Sequence, residues 1–284
     1  MSALLRPLLA QEARSEAQVR EHYLVEVELA DRLREASAEE RPALYSEVYD
    51  ELFRRVPHHQ QLTRKESDED RNARTEQQLS LLMPYLDSSK RLLEIGAGDC
   101  ALSIGAGPHC RQVTAVDVSS VVTEHEHWPD NVEFRQTEGT AIPVTPGSVD
   151  VAFSDQLMEH LHPEDAQAQL GNIHTALRDG GCYICVTPNQ VAGPWDISMY
   201  YDETARGLHL REYRVGEFHD MFLAAGFSRV EYLAGGRGFY RKVPKALIEL
   251  TEKFLLLLPY GIRSRLALTL PVRGLLGIRA VGWK

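Results

Sequence analysis

Cysteine is scarce in this chain, with only four residues in a sequence of 284. The closest pair, Cys182 and Cys185, has the C-x-x-C spacing that some metal sites and redox sites share. The surrounding stretch CYICV has the composition of a strand, and residues three apart on a strand point to opposite faces. We therefore predict reduced cysteines that pack in a core, with neither a disulfide framework nor a cysteine metal site.

Long apolar runs are also absent, and the opening stretch does not have the pattern expected of a secretory leader. No segment reaches the roughly 18 to 20 consecutive apolar residues that a membrane-spanning helix needs. In the opening stretch MSALLRPLLAQEARSE, Arg6 and Pro7 divide the apolar residues into runs too short for a secretory signal. We therefore expect a cytoplasmic protein. We also expect it to be globular, because 43% of the residues are hydrophobic and can form one large core.

Positive charge is scarce in the body of the chain. The net charge is −10, yet residues 237–284 contain ten Lys or Arg against only Glu249 and Glu252, which gives this tail +8 and leaves −18 for the remainder. A strongly acidic body repels nucleic-acid phosphates. We therefore predict no nucleic-acid partner.

After a helical start, strand-like and helix-like patterns alternate. Residues 15–35 and 42–55 carry apolar side chains at helical spacing. Six strand-like runs follow at 91–96, 112–117, 131–135, 149–154, 182–187 and 229–233. A helix over about 163–178, ended by the glycines of RDGG, is predicted between the fourth and fifth strands. This order predicts an α/β fold with a doubly wound, mostly parallel sheet.

The first strand ends in a turn rich in small residues. In RLLEIGAGDC, Gly96 and Gly98 follow directly after the strand, where glycine lets the backbone turn tightly and lets a ligand approach it. Asp117 ends the second strand, 19 residues beyond Gly98, where a carboxylate can accept hydrogen bonds from both hydroxyls of a ribose. The pattern predicts a nucleotide-like ligand. To this point a nicotinamide dehydrogenase fits equally well, because Ala101 completes G-x-G-x-x-A.

Five motifs in order over roughly residues 75–235 resemble those of class I S-adenosylmethionine-dependent methyltransferases. LLEIGAGDC is similar to the first motif, with Cys100 where a third glycine often stands, and VTAVDVS is similar to the second. TEGTAIPVTPGSVDVAFSDQLMEHL resembles the third and fourth motifs together, and ALRDGGCYICVTPN resembles the fifth. The resemblance implies a Rossmann-like methyltransferase fold with S-adenosylmethionine (SAM) as methyl donor.

The resemblance also implies which residues bind the cofactor. Asp117 would hold the ribose, and Glu138 stands where an acid reaches the adenine amino group. Ser154 and Asp155 would lie beside the methionine part. The predicted cofactor-binding residues are Glu94, Gly96, Ala97, Gly98, Asp117, Val118, Glu138, Gly139, Ser154 and Asp155.

Histidines supply the candidate catalytic residues. Methyl transfer to a hydroxyl needs a group that removes the proton, and histidine is suited to this near neutral pH. His160 and His162 follow the fourth strand, and His209 lies in GLHLREY after the fifth. We predict His209 as the general base and His160 as a second catalytic residue. Anchoring of a helix is the alternative role for His160, and a loop or capping role is favoured for His162.

A long insertion, about residues 188–217, follows the fifth strand, and connections of this length are usually functional. Its aromatic and polar side chains suit a polyhydroxylated or ring-bearing small molecule: Trp195, Tyr200, Tyr201, Tyr213, Asp196, Arg206, His209 and Arg211. We predict that it lies within a methyltransferase domain over 75–243. Residues 1–74 would form a helical lid, with His58 and His59 favoured as a solvated loop pair.

Together these patterns predict an enzyme that methylates an oxygen of a sugar, a glycan or a specialised metabolite. The alternatives are a protein methyltransferase, which would need an open groove, and a non-catalytic SAM-binding module, which intact glycines and Asp117 disfavour. Asp155, Asp196 or Asp202 could hold a divalent ion. No ligand spacing requires one, so we predict no metal.

The basic tail, residues 244–284, is predicted to be an amphipathic extension. A helix beginning near Pro244 would carry an apolar stripe of Leu247, Leu250, Phe254 and Leu257, with Lys242, Lys245 and Lys253 around it. Such a segment could lie on an anionic membrane. The favoured alternative is that the tail packs on the acidic body of its own subunit or of a second copy in a homodimer. We expect truncation after Val243 to leave cofactor binding intact.

Overall fold

The structure, a computed structural model, describes residues 13–63, 66–119, 128–236 and 238–284. Among these residues the α-helices are α1 (Glu16–Glu35), α2 (Arg41–Arg55), α3 (Gln60–Thr63), α4 (Asp68–Leu82), α5 (Ala101–Ala106), α6 (Pro163–Ala176), α7 (Val215–Ala224), α8 (Lys245–Leu256), α9 (Tyr260–Ala267) and α10 (Leu270–Leu276). The strands are β1 (Arg91–Ile95), β2 (Gln112–Asp117), β3 (Val132–Gln136), β4 (Val149–Asp155), β5 (Leu177–Thr187), β6 (Arg229–Gly236), β7 (Phe239–Val243) and β8 (Ile278–Trp283).

Local capping explains where the first helices begin. The Ser15 hydroxyl accepts the backbone N–H of Gln18, and the Gln18 side chain accepts the backbone N–H of Ser15, which forms a capping box at the start of α1. A proline in the first turn of α2 suits a helix start. The two N-terminal helices predicted from apolar spacing are thus confirmed, and the first twelve residues of the predicted lid lie outside the described ranges.

The eight strands form one sheet in the order β3-β2-β1-β4-β5-β8-β6-β7. β1, β2, β3, β4 and β5 pair in parallel, whereas β8 is antiparallel to both β5 and β6. The mostly parallel α/β prediction is confirmed. The strand order reverses between β1 and β4, and in open α/β sheets ligands bind at such a point, beyond the carboxyl ends of the strands.

Apolar cores lie on both faces of this sheet. Cys182 belongs to one buried cluster, with Leu92 and Phe153, while Cys185 belongs to another, with Leu93 and Ala152. All four cysteines are buried and reduced. The prediction that the C-x-x-C pair packs on opposite faces is therefore confirmed.

The boundary between α6 and β5 differs from the sequence-based prediction. The helix ends at Ala176, and Leu177 already pairs with Val149 of β4. The register then shifts before Cys182 pairs with Val151, so the glycines of RDGG lie in an irregular part of the strand rather than in a helix-ending turn. Gly180, at φ +74°, adopts the left-handed conformation that such an irregularity requires.

The tail agrees with the prediction at its start, where α8 begins after Pro244 and packs on its own subunit, and differs from it at its end. Residues 244–284 begin with α8, α9 and α10, but they end in β8, which pairs with β5 on one side and β6 on the other. The Lys284 ammonium donates hydrogen bonds to the carbonyls of His174 and Leu177, each at 2.8 Å. The extension therefore supplies an interior strand of the sheet. Truncation after Val243 would remove that strand, so the expectation that the truncated chain binds cofactor normally loses its basis.

The N-terminal helices are held to the rest of the fold by buried polar contacts. The buried guanidinium of Arg41 donates to both carboxylate oxygens of Asp165 at 2.7 and 2.8 Å, and the Tyr45 hydroxyl donates to the same carboxylate at 2.7 Å. On α1, Glu26 accepts the backbone N–H of Leu208 at 2.9 Å. These contacts attach α2 to the start of α6, and α1 to the insertion after β5.

No helix among the described residues is long and apolar enough to cross a membrane.

Candidate functional site

The turn after β1 exposes main chain at the point where the strand order reverses. Gly96 and Gly98 have φ values of +73° and +49°, and a Cβ added at Gly98 would meet nothing within 4 Å. Cys100, at the position where a third glycine was expected, has φ +56° and precedes the first residue of α5. The turn thus keeps the left-handed backbone of a glycine-rich loop even where the residue is not glycine.

Asp117 joins the ends of β1 and β2. Its Oδ2 accepts the backbone N–H of Gly98 at 2.8 Å, and its Oδ1 accepts the backbone N–H of Ser119 at 2.9 Å. A carboxylate has about four lone-pair positions, so one on each oxygen remains for a ligand hydroxyl. The geometry therefore suits the predicted contact with a ribose.

A cavity of about 120 Å³ opens beside this turn, and we call it the sheet-edge cavity. Four predicted cofactor residues line it: Gly96, Asp117, Val118 and Gly139. Tyr45 and Tyr49 of α2 cover it from the lid side. Its full lining is Tyr45, Tyr49, Ile95, Gly96, Val116, Asp117, Val118, Thr137, Gly139, Leu157, His160, Leu161 and Gln169.

Other predicted cofactor residues lie elsewhere. Ser154 is fully buried, and its hydroxyl hydrogen-bonds the Tyr183 hydroxyl at 2.6 Å between β4 and β5. Glu138 is exposed, and its neighbours Thr137 and Gly139 line the cavity in its place. Asp155 accepts a hydrogen bond from the Gln78 amide at 2.9 Å, and burial raises its pKa.

Three predicted cofactor residues in or next to the turn do not line the sheet-edge cavity: Glu94, Ala97 and Gly98. The buried carboxyl of Glu94 accepts a hydrogen bond from the Ser103 hydroxyl at 2.5 Å. Burial raises the pKa of Glu94 to about 8. Ala97 packs with Cys100 and Ala115 in a small apolar cluster. Glu94 and Ala97 thus pack around the turn, and their predicted contacts with the cofactor stay predictions.

A second cavity, of about 300 Å³, lies under α1 and the insertion, and we call it the lid cavity. It is rich in histidine and carboxylate side chains, with aromatic residues among them. Its lining is Arg14, His22, Glu26, Tyr49, Leu52, His59, Gln60, Gln61, His160, Trp195, Asp196, Ile197, Met199, Tyr200, Leu208 and His209. His59, favoured above as a solvated loop residue, therefore belongs to this wall, whereas the His58 ring contacts the Gln18 carbonyl at 2.9 Å.

Not every predicted wall residue reaches the lid cavity. Tyr213 is fully buried and packs against Phe218, with ring centroids 5.4 Å apart. Tyr201 packs against Tyr23 with the ring planes tilted by 37°, and the Tyr23 hydroxyl donates to Asp202 at 2.5 Å. Arg206 and Arg211 are exposed. None of these four residues belongs to the wall of the lid cavity.

Tyr49 and His160 line both cavities, so the two meet at these side chains. The His160 Nδ1 lies 3.0 Å from the Leu208 carbonyl and 3.0 Å from the Tyr49 hydroxyl. Since a carbonyl oxygen can only accept, Nδ1 carries the proton, and Nε2 keeps a free lone pair. Burial and the neighbouring charge of His209 lower the pKa of His160 to about 3.

His209 lies against His160, with ring centroids 4.8 Å apart and planes at 83°. Its Nδ1 donates to Glu212 Oε1 at 2.8 Å. Burial alone would lower the pKa of His209, but the hydrogen bond with Glu212 and the nearby charges of Glu159 and Asp196 outweigh it and raise the pKa. The structure thus brings together the two histidines that the sequence placed in separate motifs.

Glu159 and Tyr49 are site residues that the sequence did not indicate. Glu159 is fully buried, and its Oε2 accepts the Thr187 hydroxyl at 2.9 Å. Burial raises its pKa to about 7. Glu159 directly precedes His160, and that adjacency was the available signal. Tyr49 sits in an ordinary amphipathic helix pattern that distinguishes no single residue.

Comparison with known proteins identifies the family. The fold and the glycine turn define a Rossmann-like nucleotide-binding protein, and the family model for a methyltransferase domain matches residues 67–232. The chain therefore belongs to the class I SAM-dependent methyltransferases, whose methyl donor is SAM.

Two mycobacterial relatives agree with this assignment. A probable SAM-dependent methyltransferase of Mycolicibacterium smegmatis is 27% identical over 143 residues, which are 49% of this chain and 52% of that protein. One from Mycobacterium tuberculosis is 28% identical over 142 residues, 49% of each chain. The chain thus spans about half the length of the curated relatives it matches.

Solved structures agree in fold. A chain from the complex of the Haloferax volcanii Trm112 methyltransferase activator with a methyltransferase superposes with a TM-score of 0.52 at 16% identity, covering 76% of this chain and 90% of that one. The SAM complex of Haemonchus contortus phosphoethanolamine N-methyltransferase 2 gives a TM-score of 0.50 at 17% identity. The match covers 82% of this chain and 60% of that one.

Proposed function

We propose that this protein transfers the methyl group of SAM to an oxygen of a small polar acceptor, such as a sugar, a glycan or a specialised metabolite. The observation that carries the proposal is that two cavities meet at Tyr49 and His160. In this assignment the sheet-edge cavity holds SAM and the lid cavity holds the acceptor. Methyl transfer needs such in-line placement of donor and acceptor.

The residues of the sheet-edge cavity fit the cofactor. The positive φ of Gly96 and Gly98 opens the backbone to a ligand, and the free lone pairs of Asp117 suit ribose hydroxyls. Tyr45 and Tyr49 would exclude water from the lid side. When bound, SAM supplies a methyl group on a sulfonium whose thioether leaves readily.

The lid cavity favours a small polar acceptor over a protein substrate. Its volume of about 300 Å³ lies in the range of small-molecule sites. Glu26 and Asp196 offer carboxylates for hydroxyl groups, and Trp195 and Tyr200 offer flat apolar surfaces for a ring. A protein methyltransferase remains the alternative, and it would require the lid of α1 and α2 to move aside.

The acceptor hydroxyl would meet the histidine pair of the lid cavity. His209 is held by Glu212 with its Nε2 away from that carboxylate, which is the arrangement of an oriented imidazole that can take a proton. His160 lies next to it and faces both cavities. The role of His209 as general base stays a prediction, and His160 is its close neighbour in the same site.

A screen with isotope-labelled SAM against pooled sugars and metabolites tests the proposed function. We expect label in a small acceptor, and we expect His209→Ala to lower the transfer rate by about 100-fold or more while SAM binding is retained. His109→Gln, a change at an exposed histidine, is the control and should behave as wild type. Label in proteins alone, or none in any pool, would contradict the small-molecule assignment.

We also propose that the protein is cytoplasmic and contacts an anionic membrane through the surface of α8, α9 and α10. Side chains more than one third exposed on this surface are Leu247, Leu250, Phe254, Leu256, Leu257, Ile262, Leu266, Leu268 and Leu270. On its other side α8 buries Ile248, Glu252 and Leu255. The apolar stripe predicted from the sequence thus faces outward, and large exposed apolar surfaces mark interaction sites.

Charge favours a membrane over a homodimer at this surface. Residues 245–276 contain five Lys or Arg against Glu249 and Glu252, and Glu252 is buried. A two-fold dimer would place the same basic patch of two copies face to face. Anionic lipid headgroups would instead neutralise Lys253 and Arg265.

The same surface borders the lid cavity. The Arg273 guanidinium of α10 lies over the ring of Trp195, 5.6 Å from its centroid, and Trp195 lines the cavity. A membrane contact here would bring a lipid-linked acceptor to the opening. The membrane proposal is thus compatible with a small polar acceptor. It specifies that the acceptor would be attached to a lipid and would enter the lid cavity from the membrane side.

A further inference from the structure

Three side chains with metal-ligating atoms converge beside the lid cavity, and two of them line it. They are Glu159, His160 and His209, and one ligand atom from each lies within 4.8 Å of the other two. Glu159 and His209 are buried, and His160 is half-buried. The Thr187 hydroxyl satisfies only one oxygen of the Glu159 carboxyl, and a buried carboxylate is costly where an oxygen lacks a partner.

Each member of this cluster has an atom left over for an ion. The Oε1 of Glu159 has no hydrogen-bond partner within the described ranges, although it is shielded from solvent. His160 directs its Nδ1 proton to the Leu208 carbonyl, and His209 directs its Nδ1 proton to Glu212. Each imidazole, in its neutral form, therefore keeps the Nε2 lone pair free for an ion. A backbone carbonyl or carboxylate on the far nitrogen is the usual support of a metal-bound histidine.

The surroundings of the cluster are negative. Besides Glu159, the carboxylates of Glu212, Asp196 and Glu26 lie around the two histidines in or beside the lid cavity. Asp196 already accepts the backbone N–H groups of Ser198 and Gly207, and Glu212 accepts that of Trp195. They can therefore attract a cation without becoming its ligands.

A second cluster on the same cavity is less suited to an ion. His22, Glu26 and His59 also lie within ligand distance of one another. However, Glu26 already accepts from Leu208 and contacts His22 at 2.7 Å, while Arg14 lies 2.9 Å from the other ring nitrogen of His22. The Glu26 carboxylate is thus already engaged by two neighbours, and a guanidinium beside His22 opposes a cation.

We propose that Glu159, His160 and His209 bind one divalent first-row transition cation. Two imidazoles and one carboxylate suit ions such as Mn²⁺, Co²⁺ or Zn²⁺ better than Mg²⁺, which prefers oxygen ligands. Open coordination positions would face the lid cavity and take an acceptor oxygen or water. The inference rests on the proposed function and changes how the acceptor hydroxyl is activated, because the Nε2 atoms would then bind the ion instead of taking the proton.

Titration of the full chain with Mn²⁺, after removal of metal by a chelator and dialysis, tests the site. Electron paramagnetic resonance of free Mn²⁺ gives the bound fraction. We expect one equivalent to bind, and we expect Glu159→Gln and His209→Gln each to weaken binding by at least about 10-fold. Binding of S-adenosylhomocysteine verifies that these variants fold, because neither residue lines the sheet-edge cavity.

His59→Ala is the matched control, since it removes a histidine of the second cluster on the same wall. It should leave Mn²⁺ binding unchanged. Absence of binding to the wild type, or binding lost in His59→Ala but kept in Glu159→Gln, would overturn the proposal.

The transfer assay separates this proposal from the proposed function. Methyl transfer that persists in chelator, together with no Mn²⁺ binding, would refute the cation site and leave the methyltransferase assignment intact. Stoichiometric Mn²⁺ binding at Glu159 and His209 without methyl transfer to any acceptor would support the cation site and contradict the assignment of the lid cavity.

Discussion

At the residue scale, Glu94 shows how the turn after β1 depends on a buried carboxyl. Burial raises its pKa to about 8, although the Ser103 hydroxyl donates a hydrogen bond to it. A carboxyl whose pKa is higher in the folded protein favours folding most at low pH. That contribution is lost as the pH rises from the ordinary value of 4.5 to the folded-state pKa, because the Glu94 carboxyl of the unfolded chain then ionises while the buried one stays protonated.

We therefore predict that Glu94→Gln stabilises the protein at pH 8 relative to the wild type, since an amide of similar shape stays neutral. The advantage should vanish near pH 4.5 and grow by at most about 1.4 kcal/mol per pH unit above it. Urea unfolding of the ligand-free protein at several pH values measures this. A difference that does not change with pH would show that Glu94 is not held neutral.

Spacing in the sequence located residues at strand ends but did not decide which way their side chains face. Asp117 and Gly96 line the sheet-edge cavity as predicted, because turn geometry restricts both. Ser154, one residue before the end of β4, points into the core against Tyr183. Glu138 lies in a loop where its neighbours face the cavity. The position of a residue within a motif does not show whether its side chain points into the cavity, into the core or into solvent.

At the element scale, α2 is the part of the lid that covers the sheet-edge cavity. Arg41 fastens its first turn to Asp165 of α6, and Tyr45 and Tyr49 on the same helix reach the cavity. Burial alone would raise the pKa of Asp165, but the hydrogen bonds from Arg41 and Tyr45 outweigh it and lower the pKa. The carboxylate is therefore charged and depends on its partner.

We predict that Arg41→Met destabilises the protein by about 3 kcal/mol, because it leaves the Asp165 carboxylate without its cation. It should also weaken S-adenosylhomocysteine binding through loss of the α2 cover. Arg32→Met is the control, since it breaks a more exposed pair with Glu51 and should cost less than about 1 kcal/mol. Equal unfolding free energies for the two variants would contradict a stabilising role of the buried Arg41–Asp165 ion pair.

The elements most easily predicted were those with local patterns. α1, α2 and the five parallel strands follow from apolar spacing, caps and turn glycines. β7 and β8 escaped prediction because their pairing partners are set by tertiary structure. β8 pairs with residues of β5 that lie far back in the chain, and its sequence IRAVGW gives no strong alternation.

At the scale of the whole molecule, the basic charge and the exposed apolar side chains are concentrated in the same part of the chain, its C-terminal region. Five of the ten basic residues in 237–284 lie on α8, α9 and α10 beside exposed leucines, while the chain before residue 237 is strongly acidic. A protein with such a surface would approach an anionic membrane in one orientation. The lid cavity borders that surface through Trp195 and Arg273.

We predict that the full chain sediments with anionic phosphatidylglycerol vesicles at low salt but not with neutral phosphatidylcholine vesicles. The double variant Leu250→Gln with Phe254→Gln should bind at least about 10-fold more weakly, because each side chain would otherwise bury apolar surface. Leu24→Gln, an exposed leucine on α1, is the matched control.

Absence of vesicle binding at low salt, where attraction is strongest, would contradict the membrane proposal. If the same double variant instead converts a dimer to a monomer in analytical ultracentrifugation, the surface belongs to a homodimer.

The central claim is that the sheet-edge cavity of this chain binds SAM through Asp117. Calorimetry with SAM and S-adenosylhomocysteine tests it, with Asp117→Ala as the variant and Glu138→Ala, at an exposed acid outside the cavity, as the control. We predict micromolar binding to the wild type, a loss of about 1–3 kcal/mol in Asp117→Ala through its ribose hydrogen bonds, and little change in Glu138→Ala. Undiminished binding in Asp117→Ala, or a preference for NAD over SAM, would contradict it.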